Sequence, residues 1–155
     1  MFRNLTRLTP ALALMLMAAG PAPAQDAPRR IEVTGEMIDT WCYFSGVMGG
    51  YDAVVGSAHH TCALWCAAGG IPVGLRADDG TVYMVLKLEG DDPLAEPETL
   101  LTVASDRLTA DGLHYVRDGV NYLVVEAVTA NDGIVNLTHE TFGPVPGFAI
   151  PEPAQ

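Results

Sequence analysis

Between Ile31 and Val128 a single stretch reads as a helix of several turns, and it carries two of the chain's three cysteines. Ser57 is a good N-cap residue, Ala58 to Ala68 supplies about three turns, and Gly69-Gly70 ends them by offering a left-handed conformation. On such a helix His59, Cys62 and Cys66 follow the i, i+3, i+7 pattern and share one face. His60 is rotated off that face and is the weaker ligand candidate. The third thiol, Cys42, lies upstream, so only the fold can bring it to the others.

The flanking segments are β-forming. Ile31 to Asp39 alternates apolar and polar residues as a half-buried strand does, with Gly35 marking a bend or a close approach. It runs into Thr40-Trp41-Cys42-Tyr43-Phe44, and a glycine-rich loop follows from Gly46 to Gly56. After the helix, Ile71 to Arg76 and Thr81 to Leu88 read as strands joined by the turn Ala77-Asp78-Asp79-Gly80. Glu89 to Glu98 is an acidic loop, and Thr99 to Ala104 is expected to form a short helix. Arg107 to Tyr115 and Asn121 to Val128 form a second hairpin around Arg117-Asp118-Gly119, and Ile134 to Leu137 is a candidate edge strand. The fold class is therefore mainly β. A small antiparallel OB-like β-barrel with one helix inserted after the first strand is expected, a β-sandwich with an appended helix being the alternative.

The first two dozen residues read as an export leader. Arg3 and Arg7 form a basic n-region, Leu8 to Ala19 is mostly apolar, and Ala22-Pro23-Ala24 is a cleavage signature. The apolar run is shorter than the roughly 20 residues that span a bilayer. The expected organisation is a cleaved leader over 1–24, a linker over 25–30, one barrel domain over 31–143 and a proline-rich tail over 144–155. Loss of Arg3 and Arg7 leaves six basic against nineteen acidic residues, a net charge of −13. Such a surface repels nucleic acid and anionic lipid, and it suits a basic protein partner or cations. The product is expected to be periplasmic, with no cysteine at the cleavage point for a lipid anchor.

Chemistry converges on the cysteines. In an oxidising compartment Cys42 can pair with Cys62 or with Cys66, closing a loop worth on the order of 3 kcal/mol but leaving a spare thiol beside the bridge. Alternatively Cys42, His59, Cys62 and Cys66 complete a closed four-coordinate Cys3His site, structural for zinc or suited to Cu(I). Thiol redox chemistry is the third option, although no C-x-x-C motif is present. The remaining candidates read as structural. Trp41 and Trp65 suit packing at the core or rim, Met37, Met48 and Met84 are ordinary core fillers, and His114 and His139 are isolated. There is no G-x-S-x-G elbow and no phosphate-cradling glycine loop.

The order Gly35-Glu36-Met37-Ile38-Asp39, Trp41-Cys42-Tyr43, His59-x-x-Cys62-Ala63-x-x-Cys66 and Gly69-Gly70-Ile71-Pro72-Val73-Gly74-Leu75 resembles a family of small exported bacterial proteins. The resemblance spans Val33 to Leu88. It implies that Cys42, His59, Cys62 and Cys66 act as one unit, and it brings no activity with it. The sequence thus reads as a non-enzymatic domain that binds copper or zinc through a Cys3His cluster, for structure or for delivery. A disulfide-stapled interaction module and a thiol redox accessory protein are the rivals.

Overall fold

A computed structural model of the chain describes residues 27–88 and 99–143. The leader, the acidic loop and the proline-rich tail expected from the sequence lie outside the described residues. Five strands, β1 (Arg29–Asp39), β2 (Val73–Ala77), β3 (Val82–Leu88), β4 (Arg107–Arg117) and β5 (Val120–Asn131), close into a barrel in the order β1-β2-β3-β5-β4. This is the expected OB-like barrel. Among the described residues three helices accompany it: α1 (Thr40–Ser45), α2 (Gly56–Ala68) and the single turn α3 (His139–Phe142). No helix among the described residues is long and apolar enough to cross a membrane.

Four of the pairings are antiparallel, but β3 and β5 run parallel. A closed ring with an odd number of strands cannot alternate direction all the way round, so one pair must be parallel. Strand β1 curls enough to pair with both neighbours, through Gly35 to Asp39 on β2 and through Arg29 to Glu36 on β4. Gly35 sits where the two ladders overlap, and a Cβ there would run into the backbone of Arg76 and Ala77. Bulges in β4–β5 at Thr109/Ala110 and Asp111/Gly112 supply further curvature. The β4–β5 hairpin turns on Asp118 and Gly119, both left-handed (φ 51° and 80°), as a two-residue hairpin of the strands' own twist requires.

The barrel interior is filled by Val33, Met37, Val73, Leu75, Val85, Val103, Leu108, Ala110, Leu123 and Val125. Leu123 is fully buried at its centre. Leu123→Ala should lower unfolding free energy by about 3–4 kcal/mol in a denaturant titration, through lost transfer energy and the cavity left behind.

Some local expectations fail for identifiable reasons. The segment Thr99 to Ala104 forms turns rather than a helix, and Ile134 to Leu137 pairs with no strand. Strand β1 starts at Arg29, inside the expected linker, because Arg30 is held by Asp111 and Glu126 on the barrel wall. Ser57 does not cap α2. The N-cap position is Val55, and the first-turn N–H groups are satisfied from elsewhere in the fold. Gly56 N donates to the buried Glu36 carboxylate (2.5 Å), Ser57 N to Asn136 O (2.9 Å) and Ala58 N to Thr138 Oγ1 (3.0 Å). The Ser57 hydroxyl pairs instead with His139 Nδ1. These contacts set α2 across the barrel end where β1 exits.

Candidate metal centre

The chain leaves β1 at Asp39 and turns at once into α1. Asp39 is the N-cap: its Oδ1 accepts from Trp41 N (2.8 Å) and Cys42 N (3.3 Å), satisfying donors that the first helical turn leaves unpaired. Gly46, left-handed at φ 64°, closes the helix by donating its N–H to Cys42 O (2.9 Å). Thr40 ties the same turn to the start of β2, its Oγ1 donating to Pro72 O (2.5 Å). Cys42 is thereby aimed inward, where with Val54 and Cys62 it forms a small core separate from that of the barrel, with Tyr43 and Cys66 packed on it.

Helix α2 supplies the rest. His59 and Cys62 are buried and Cys66 is half-buried, as expected of one shared face. His60 points elsewhere and places Nδ1 2.9 Å from Ala104 O. All three cysteines are free thiols. Asp39, Cys42, Cys62 and Cys66 each offer a ligand atom, and these atoms all lie within 4.8 Å of one another.

The group assembled by the fold therefore joins the three expected cysteines to Asp39, and His59 stands behind that carboxylate. Its Nε2 is 3.5 Å from Asp39 Oδ2. Asp39 is 2% exposed and His59 1%. Asp39 Oδ2 and both His59 ring nitrogens have no hydrogen-bond partner. Asp39 Oδ2 and His59 Nε2 face each other as a long ion pair without a well-formed hydrogen bond, and His59 Nδ1 has none, so a ligand bound at this spot would have poorly satisfied buried groups to engage. The clue to Asp39 in the sequence was its place three residues before Cys42, where an aspartate caps a short helix. A second clue is that Asp39 takes the side of Ile31, Val33 and Met37, where the alternation of the strand calls for an apolar residue.

Electrostatics distinguish the chemical options. Burial raises the Asp39 carboxyl, but the neighbouring His59 imidazole and the Cys66 and Cys42 thiols outweigh it and hold the group at about 2. Burial, and then the Asp39 carboxylate, push the Cys42 thiol far above its ordinary value and Cys66 up to about 12. Reactive cysteines need the reverse, a cationic neighbour that favours thiolate. The charged partner of the Cys42 and Cys66 thiols is the Asp39 carboxylate, an anion, which does not favour their thiolates. A cation placed among them would reverse the balance by stabilising every anionic donor at once.

The other candidates fall outside this group. Met37 belongs to the barrel core, and His114 pairs with Asn121 Oδ1 (3.0 Å) while meeting Tyr83 edge-on. Trp41 and Trp65 do not pack at the core: they are 58% and 59% exposed. The reason is that α1 and α2 turn their small and sulfur-bearing faces inward, which sends the indoles outward.

Fold and site together define a closed five-stranded barrel of OB-like topology, capped at one end by a buried Asp/Cys3 cluster. No protein-family model, curated protein or solved structure matches this chain.

Proposed function

We propose that this protein is an exported domain that binds one soft transition-metal ion, Cu(I) or Zn(II), at the barrel end. The thiolates of Cys42, Cys62 and Cys66 are the soft donors. Asp39 Oδ2 completes a tetrahedral set for zinc, whereas Cu(I) is satisfied by the three sulfurs alone. His59 serves the site through Asp39, and takes over as a direct ligand if the carboxylate withdraws to its capping role. The supporting observation is the gathering of three free thiols and a carboxylate oxygen without a hydrogen-bond partner within 4.8 Å in a buried pocket. A disulfide staple uses two of the thiols and leaves the third beside the bridge, where it invites exchange. Redox chemistry is disfavoured by the raised thiols.

Elemental analysis of protein purified without chelator, paired with a thiol count in denaturant, tests this. The expected result is about one copper or zinc per chain and three thiols after chelation. Protein without metal and with one thiol overturns the proposal in favour of a staple. Cys62→Ala should abolish metal retention. Asp39→Asn keeps the helix cap, so a loss of about 10–100-fold in affinity would mark the carboxylate as a zinc ligand, and unchanged affinity would mark a three-sulfur copper site.

A further inference from the structure

We propose that the metal ion is exchangeable cargo rather than a fold-maker, and that it passes in and out through Cys66 by ligand exchange with a partner bearing a thiolate donor. This rests on the metal-binding reading above and adds the route and the kind of partner.

The first observation is the separation of the two cores. The ten buried residues that fill the barrel include none of the cysteines, and the ring of strands closes without an edge. Cys42, Val54 and Cys62 form their own cluster outside it. Removing an ion from that cluster breaks no strand ladder and opens no void in the barrel. Small zinc modules behave differently, because there the metal replaces a core and the chain unfolds without it.

The second observation is the uneven burial of the donors. Cys42 is 2% exposed and Cys62 8%, and Asp39 and His59 are more deeply enclosed than Cys62. Cys66 alone of the three thiols is half-buried. It lies on the last turn of α2, where its carbonyl accepts from Ile71 N (2.9 Å) and the chain leaves through Gly69-Gly70. A large donor approaching from solvent meets the ion from that side, with the other ligands behind it.

The exchange step balances without redox chemistry. The incoming thiol gives up its proton and its sulfur bonds to the ion. The bond from the ion to the Cys66 sulfur breaks, and the released Cys66 thiolate takes up that proton. The ion keeps its charge throughout. Cys42 and Cys62 hold it until the partner's second thiol bonds the ion; the proton of that thiol goes to one of the two released thiolates, and water supplies a proton to the other. A partner presenting two thiols can therefore take the ion without ever releasing it to water.

The test uses the full-length metal-loaded protein with dithiothreitol as the acceptor and N-ethylmaleimide as a trap, read by peptide mass spectrometry. The rate of metal loss should rise in proportion to dithiothreitol, and Cys66 should be labelled at least tenfold faster than Cys42 or Cys62. After metal removal, circular dichroism should still show a folded β protein with a cooperative thermal transition. Loss independent of dithiothreitol, even labelling of the three cysteines, or unfolding on metal removal would each overturn the inference while leaving metal binding intact. Protein that shows one free thiol in denaturant and takes up no added copper or zinc would overturn both.

Discussion

Lowering the pH from 7 to 6 should weaken metal binding at least about 100-fold, the part set by Cys42 and Cys66 alone. In the metal-free protein the Cys42 and Cys66 thiols are held protonated, by burial first and by the Asp39 carboxylate second. A metal must displace both protons to bond the sulfurs, so each lost pH unit costs about one factor of ten per proton. Asp39 adds nothing to this slope, since it is held at about 2 and stays charged across the range. The sign follows directly: protons compete with the metal, and affinity rises with pH. Competition against a chelator of known affinity at both pH values measures the effect, and proton release on titration counts the protons. An affinity that changes less than about threefold would mean that the thiolates are not the ligands. The same raised values act on stability. Protons held in the folded state but released in the unfolded one stabilise the metal-free protein fully below the ordinary thiol range, near 8.5. That contribution is lost as pH climbs toward about 12.

Gly35→Ala should destabilise the barrel by about 3 kcal/mol or more, a large share of the 5–15 kcal/mol typical of a domain. The backbone angle is not the obstacle. The obstacle is the neighbouring strand, because the new methyl group would meet the Arg76 carbonyl and lie 2.7 Å from Ala77 Cα. Gly35 pairs with Ala77 on one side and Leu108 on the other, so backbone movement that relieves one ladder strains the second. Gly50→Ala is the control, as its Cβ would meet nothing within 4 Å. Urea titration of the two variants against the parent decides the matter. A Gly35→Ala protein within about 0.5 kcal/mol of the parent would show that β1 can straighten away from β2 at little cost.

The effect would extend to the metal site, because β1 ends in Asp39. Any shift of that strand moves the cap of α1, and with it Cys42, relative to the sulfurs on α2. Stability of the barrel and geometry of the cluster are linked through one strand, although their cores are separate. Glu36 reinforces the link by accepting from Gly56 N at the start of α2 and from Asn136 Nδ2.

Sequence alone determined what depends on near neighbours. Alternation placed the strands, helical periodicity put His59, Cys62 and Cys66 on one face, and Asp118-Gly119 located a hairpin. These properties depend on a few adjacent residues and the angles their backbones adopt. Tertiary structure decided what depends on residues far apart in the chain. Only ring closure by five strands makes β3 and β5 parallel. Only the approach of Glu36, Asn136 and Thr138 to the first turn of α2 moves its cap from Ser57 to the fold around it. Asp39 joins Cys42, Cys62 and Cys66 because the exit of β1 and the face of α2 meet at one end of the barrel. No local pattern encodes that meeting, since the two segments are brought together by the burial of a shared core.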